Sequence, residues 1–257
     1  MRIVGVLDLR GGRAVHARGG ARDRYAPVEM VAGLPIRPGD PVALARAYLD
    51  RLGLTELYAA DLDAIGGSAP QAAALAALRA LGAPLAVDAG VSTVDRARQL
   101  VALGASQVVV GLETLPSWSM LEAIGGACDR ERVIFSLDLR DARPIVTAGG
   151  IDRGDLPEVY AARAADAGAS ALIVLDLARV GTSAGLDLDT IAAIRRRVPR
   201  LTLLAGGGVR DAADLRRLAD AGCDGALVAT ALHTGRIGPN DLRQVTSQKS
   251  QSTKHRL

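Results

Sequence analysis

Two aspartates stand in nearly the same setting at two places in the chain. Asp8 lies in "VGVLDLRGG" (Val4 to Gly12) and Asp138 in "VIFSLDLRD" (Val133 to Asp141), each closing an apolar run with Leu-Asp-Leu-Arg. Two carboxylates brought to one pocket can divide proton transfer between them, one acting as acid and one as base, when their surroundings separate their proton affinities. A lone strand-end aspartate serves equally well to cap the following loop; the repetition favours the chemical role. A second candidate chemistry is anion binding. In "LLAGGGVRDAADL" the glycines let backbone N–H groups approach an anion, and in "GALVATALHTG" a short helix can point its positive end at the same place. Gly207, Gly208, Ala229 and Thr230 are the residues this implicates. Three successive glycines cost conformational entropy, which a close approach by a ligand would justify and a plain turn would not.

Strands and helices must hold these groups. Eight short aliphatic runs recur: "RIVGVLDL", "ELYAADL", "PLAVDAG", "QVVVG", "VIFSLDL", "ALIVLDL", "LTLLAGGG" and "GALVAT". Each ends in a polar or glycine segment and is followed by an Ala/Leu/Arg-rich stretch of helical length. Near-continuous hydrophobicity suits strands covered on both faces, and strand–helix alternation suits a parallel sheet. Eight such units in 257 residues predict an α/β fold, a closed (β/α)8 TIM barrel. The chain also repeats itself: "AADLDAIGGSA" (59–69) matches "VLDLARVGTSA" (174–184), and "VDAGVST" (87–93) matches "AGGGVRD" (205–211). The expected domain is one barrel over 1–243, made of two duplicated half-barrels of about 1–124 and 125–243. Residues 244–257 lack apolar periodicity and are expected to form a basic, disordered tail. In the barrel, strands one and five face each other, so Asp8 and Asp138 are predicted to enter one pocket from opposite walls. The long Gly/Arg/Pro-rich insertion after the first strand is expected to be a lid.

Composition narrows the function. Aromatics are 2% of the chain, which argues against base stacking, and the formal charge of +3 is partly due to the tail, so no nucleic-acid partner is expected. Cys128 and Cys223 lie far apart with no metal-ligand spacing around them, as expected of reduced thiols in a cytoplasmic protein. No apolar run reaches the roughly 18 to 20 residues of a membrane helix, and the start is too short in its apolar part for a signal peptide.

The motifs together resemble the HisA/HisF family, that is, a phosphoribosylformimino-aminoimidazole-carboxamide ribotide isomerase-like barrel. They are the opening "LDL-x-GG-x-AVH", the "D-x-x-x-x-GTSAG" loop after strand six and "GGGV" after strand seven, and the likeness runs to about Gly238. The resemblance implies an aldose-ketose (Amadori-type) isomerase of histidine biosynthesis acting on a small phosphorylated ribosyl-amine metabolite. By the resemblance Asp8 is the base and Asp138 the acid, one protonating the ribose ring oxygen and the other moving the C2 proton. That route requires no metal or redox cofactor. The substrate-binding positions it suggests are Gly181 and Thr182 after strand six, His16 in the first loop, and Gly90 and Gly111 in the first half. No signature for docking a glutaminase, or any other protein partner, is present.

This chain also departs from the family pattern. Leu175 stands where a catalytic Thr or Ser is expected, and Val180 where an Asp precedes the Gly-Thr. "DAGVS" (88–92) replaces a glycine run, and "GLET" (111–114) puts Glu113 where a second phosphate would sit. Asp88 and Glu113 predict one phosphate end and one different end, unless these acids pair with arginines or hold helix amides. Two other readings are therefore open. One is a divergent isomerase or lyase of another pathway, such as methanopterin-type one-carbon cofactor metabolism. The other is a non-catalytic phosphometabolite-binding barrel subunit.

Overall fold

A computed structural model describes residues 1–16, 25–146, 151–180 and 185–252. Eight strands form the predicted barrel: β1 (Arg2–Arg10), β2 (Glu56–Asp61), β3 (Leu85–Asp88), β4 (Gln107–Gly111), β5 (Val133–Arg140), β6 (Ala171–Asp176), β7 (Thr202–Gly206) and β8 (Gly225–Val228). Each pairs in parallel with the next, and β8 closes on β1 through Arg2–Gly225 to Gly5–Val228. Among the described residues eight longer helices alternate with the strands: α1 (Pro41–Arg46, continued by one π turn to Arg51), α2 (Ala72–Arg79), α3 (Val94–Ala102), α4 (Trp118–Cys128), α5 (Pro157–Asp166), α6 (Leu188–Arg197), α7 (Ala212–Asp220) and α8 (Pro239–Ser252), with one-turn helices at Leu62–Ile65 and Thr230–His233.

Local chemistry starts these helices. Asp40 accepts from the amides of Val42 and Ala43 ahead of Pro41, and Thr93, Ser117, Asp187 and Asp211 cap α3, α4, α6 and α7 in the same way. Each cap satisfies amides that the first turn leaves without a helical acceptor. The α8 backbone runs from Pro239 to Ser252. Its first turns are seated by buried Leu242 and Val245, and the polar stretch simply prolongs them.

Two apolar layers result from strand alternation. The larger lies between strands and helices and includes Leu7, Leu9, Leu137 and Leu139; the smaller fills the barrel with Val4, Tyr58, Ala86, Val109, Ile134, Ile173, Leu204 and Leu227. Because side chains alternate, the same strands that send Leu7 and Leu137 outward send Asp8 and Asp138 inward. The aspartate-lined pocket thus sits directly above an apolar plug. The duplication is visible in the loops too. The turns after β1 and β5 fold back as short antiparallel strands (Arg13–His16 and Arg143–Pro144), with positive φ at Gly11 and Gly12 in one and at Asp141 and Ala142 in the other.

The insertion expected to be a lid is in large part anchored. Arg13–His16 pairs with β1 and with Ala26–Pro27, Val28 and Val31 are buried, and the Ala32 amide donates to the Leu232 carbonyl at 2.8 Å.

Gly5 shows how tightly α1 is set. A Cβ there would come within 2.5 Å of Tyr48 Cδ2 and 3.0 Å of Leu54 Cδ1. Gly5→Ala is therefore expected to lose about 1–3 kcal/mol through overpacking, measured as a lower urea midpoint with an unchanged m-value.

Candidate active site

One large cavity of about 650 Å³ opens at the carboxyl ends of the strands. Asp8, Asp88, Glu113, Asp138, Gly207, Gly208, Ala229 and Thr230 all line it, together with Tyr25, Tyr58, Arg140, Leu175, Val180, Arg210 and Arg236. The sequence-predicted residues are thus brought together from β1, β3, β5 and the ends of β4, β7 and β8. Gly90 and Gly111 are not among the lining residues, and His16 joins the site through its hydrogen bond to Thr230. Gly181 and Thr182 lie outside the described residues.

The carboxylates sit in different surroundings. Asp138 is buried and accepts a 2.7 Å hydrogen bond from the hydroxyl of Ser136, which is itself fully buried. Asp8 is half-buried, and the residue two places before it is Val6, which has no such donor. Ser136 thus restrains one aspartate from below, and the corresponding position under the other is apolar.

Tyr58 was not anticipated. It projects from the middle of β2 into the barrel, is 4% exposed and donates its hydroxyl to Asp88 Oδ2 at 3.3 Å. Burial, and then the negative fields of Asp88, Asp138 and Asp8, raise its phenol well above the ordinary value. It is accordingly a neutral hydrogen-bond donor amid three carboxylates. A single tyrosine in an apolar run carries no sequence signal for that position; only the register, with Asp8, Ala60 and Asp88 level and Tyr58 one layer below, reveals it.

At β7 the glycine run makes a different environment. Gly207 and Gly208 have φ of +80° and +96°, and among the described residues no protein acceptor takes their amides. A glycine turn with untaken amides lets a ligand approach the backbone closely, as anion-binding loops require. Packing requires glycine there as well, since a Cβ on Gly207 would meet the Asp176 carbonyl at 2.6 Å and one on Gly208 would meet the backbone of Gly185. Arg210, next in line, is spent on a structural clamp: its Nε and Nη2 donate to buried Asp214 at 2.7 and 2.8 Å, which holds that carboxyl below the usual range.

His16 and Thr230 share a 3.0 Å hydrogen bond between Nε2 and Oγ1. Behind them lies buried His233, in an edge-on contact with His16 at 5.2 Å. The Tyr48 hydroxyl is 3.0 Å from the Val6 carbonyl and 2.6 Å from His233 Nε2. A carbonyl can only accept, so the phenol proton goes to Val6 and His233 Nε2–H donates to the phenol oxygen. His233 Nδ1 is buried with no partner among the described residues, and burial and the nearby His16 push its pKa down to about 3.

The four strand-end aspartates of the repeat serve two purposes. Asp61 is fully buried and accepts from the amides of Ala64 and Gln71 and from the Gln71 side chain; Asp176 accepts from the Ala178 amide and Arg179 Nε. At β2 and β6 the carboxyl therefore caps its loop, whereas at β1 and β5 it faces the cavity. Leu175 and Val180 also face the cavity, so the wall below the strand-six loop is apolar.

A family model described as "Histidine biosynthesis protein" matches residues 2–238. The chain belongs to that family. Its relatives include proteins named 1-(5-phosphoribosyl)-5-((5-phosphoribosylamino)methylideneamino) imidazole-4-carboxamide isomerase. The one from Thermus thermophilus is 31% identical over 239 residues, 92% of this chain and 96% of the relative. That from Deinococcus radiodurans is 32% identical over 241 residues, 91% and 94% of the two chains. An uncharacterized protein of Methanocaldococcus jannaschii is 27% identical over 250 residues, 96% of this chain and 99% of its own. Family membership thus accords with the barrel, while the relatives carry more than one kind of name. Among the described residues no group of three His, Cys, Asp or Glu could hold a metal ion, and no helix is long and apolar enough to cross a membrane.

The suppressed basicity of His233 predicts a pH dependence. The unfolded imidazole protonates near pH 6.5 and the folded one only near 3, so its contribution to stability is full above 6.5 and is lost as pH falls toward 3. Chemical unfolding between pH 7.5 and 4.5 should show wild type losing up to about 1.4 kcal/mol per pH unit more than His233→Gln over the lower part of that window.

Proposed function

We propose that this protein is an aldose-ketose isomerase of the histidine-biosynthesis isomerase type, acting on a phosphorylated ribosyl-amine by proton transfer between Asp8 and Asp138. The observation that carries the reading is the placement of these two aspartates, from opposite strands of one barrel, in a single cavity whose far wall holds open backbone amides at Gly207 and Gly208. The names of the isomerase relatives support it.

In this reading the phosphate lies against Gly207 and Gly208, with the Thr230 hydroxyl and His16 on its flank. Anchoring one end sets the sugar across the barrel mouth between β1 and β5, where proximity replaces a bimolecular encounter. One carboxyl group protonates the ring oxygen, opening the sugar to a Schiff base; the other takes the C2 proton, leaving the enol-amine that tautomerises to the ketose. We assign Asp8 as the base and Asp138 as the acid. Ser136 restrains Asp138 at the bond it serves, and the apolar layer of Val4, Ile134 and Leu227 forms the floor beneath. The substrate is a small metabolite of the cytoplasm, and nothing in the reading calls for a nucleic acid, a membrane or a cofactor.

Asp8→Asn and Asp138→Asn should each lower kcat by about 10²–10⁴-fold with little change in the affinity for substrate. Complementation of a histidine auxotroph lacking the isomerase is the direct test. Growth that depends on both aspartates is the expected result; soluble protein without growth would exclude this substrate. Ser136→Ala, which removes only the restraint on Asp138, is expected to cost about tenfold in kcat and to displace one limb of the pH–rate profile, whereas a purely structural role would leave the profile in place.

A further inference from the structure

Removal of the C2 proton is only half of the reaction proposed above. The enol-amine it leaves must still lose the proton of its C2 hydroxyl and gain one at C1 before it is a ketose. Resting on that reading, we infer that Tyr58 is a catalytic residue of this second half: its phenol oxygen takes the C2 hydroxyl proton while its own proton passes to Asp88.

The place of the phenol is the first argument. Tyr58 pairs with Val6 on β1 and with Ala86 on β3, and Asp8 and Asp88 stand two residues beyond those neighbours, on the same face of the sheet. From this lower level the phenol rises between the two strands and donates to Asp88 Oδ2 at 3.3 Å. Asp8, on the strand next to Tyr58, takes the C2 proton in the isomerase reading, and the C2 oxygen is one bond from that carbon. A hydroxyl beside and beneath Asp8 is therefore in place to meet it.

The second argument is what else the floor offers. Beneath the aspartates the cavity is lined by Val6, Tyr58 and Leu227, so among the described residues the phenol is the polar side chain of that floor. Ser136, also below the aspartates, is fully buried and gives its hydroxyl to Asp138. A sugar hydroxyl turned toward the floor loses its bonds to water, and Tyr58 is the group that replaces them.

The third is the direction of the proton. A phenol has one proton to give, and that of Tyr58 points at Asp88, which leaves the oxygen lone pairs as acceptors. A 3.3 Å bond from the Gly90 amide anchors the receiving carboxylate. Burial and the fields of Asp88, Asp138 and Asp8 keep the phenol protonated, so it acts as a relay and not as a standing phenolate.

The step balances with no co-reactant. Asp138 gives a proton to the ring oxygen, Asp8 takes the C2 proton and returns it to C1, and the hydroxyl proton leaves through Tyr58 to Asp88. The C1=C2 pair becomes the new C1–H bond, and the O–H pair becomes the C2=O bond. Exchange with solvent then restores Asp138 and Asp88.

Turnover in D2O of the compound for which the isomerase relatives are named separates the two halves, because an enol-amine that turns back leaves deuterium at C2 of the remaining substrate. Wild type is expected to form product with little such exchange. Tyr58→Phe, which keeps the ring and removes the oxygen, should lower kcat about a hundredfold with KM within about threefold, and should raise the ratio of C2 exchange to turnover at least about tenfold. Asp88→Asn, which still accepts from the phenol but takes no proton, should do the same. A structural role alone would slow exchange and turnover together. That result, or a wild-type kcat in either variant, overturns the inference and leaves the isomerase reading intact. Wild-type protein that neither makes product nor exchanges C2 removes the isomerase reading and the inference with it.

Discussion

Closure of the sheet between β8 and β1 is the constraint on which everything else rests. Without the ladder from Arg2–Gly225 to Gly5–Val228 the two half-barrels would present open edges, and β1 and β5 would not face each other. Once the ring is closed, period-two alternation leaves no choice about where Asp8 and Asp138 point. A one-residue slip in either strand would turn its aspartate into the apolar layer around Leu7 or Leu137 and bring those leucines into the barrel, so packing and chemistry enforce the same register.

The interior is filled economically. Aromatic residues are few, so the plug is mostly Val, Ile, Leu and Ala, and Tyr58 is the large exception. Its ring occupies the apolar layer while its hydroxyl reaches the carboxylates above, which lets one side chain serve both the plug and the pocket. Tyr48 plays a comparable part outside the barrel: its ring lies over Gly5 and its hydroxyl joins the Val6 carbonyl to His233. In the second half Phe135 occupies the place of Gly5 and packs against Trp118 instead. The duplicated halves thus keep the same backbone while exchanging which element supplies the bulk.

Much of this was readable in the residues. Eight apolar runs at regular spacing, each followed by a helical stretch, announce the barrel because strand and helix periods are local properties. The paired Leu-Asp-Leu-Arg segments announce Asp8 and Asp138 because duplication fixes their relative place once the fold is known. What was not readable depends on contacts across strands. Ser136 is one polar residue in an apolar run, Tyr58 another, and neither has meaning until the register sets it beside Asp138 or Asp88. The course of α8 past Arg243 likewise depends on where Leu242 and Val245 are seated, which a polar stretch does not announce.

The same distinction explains why identical strand-end aspartates acquire different roles. After β2 and β6 the chain turns back within a few residues, so the amides of Ala64, Gln71 and Ala178 come within reach and consume Asp61 and Asp176. After β1 and β5 it instead leaves as a hairpin, in which the amides near the aspartate are paired strand to strand, Asp8 with Val15 and the Ile145 amide with the Asp138 carbonyl. With the backbone already satisfied, the carboxyl groups remain directed at the cavity. The left-handed pairs Gly11-Gly12 and Asp141-Ala142 that make those hairpins possible are therefore what keeps the two aspartates directed at the cavity.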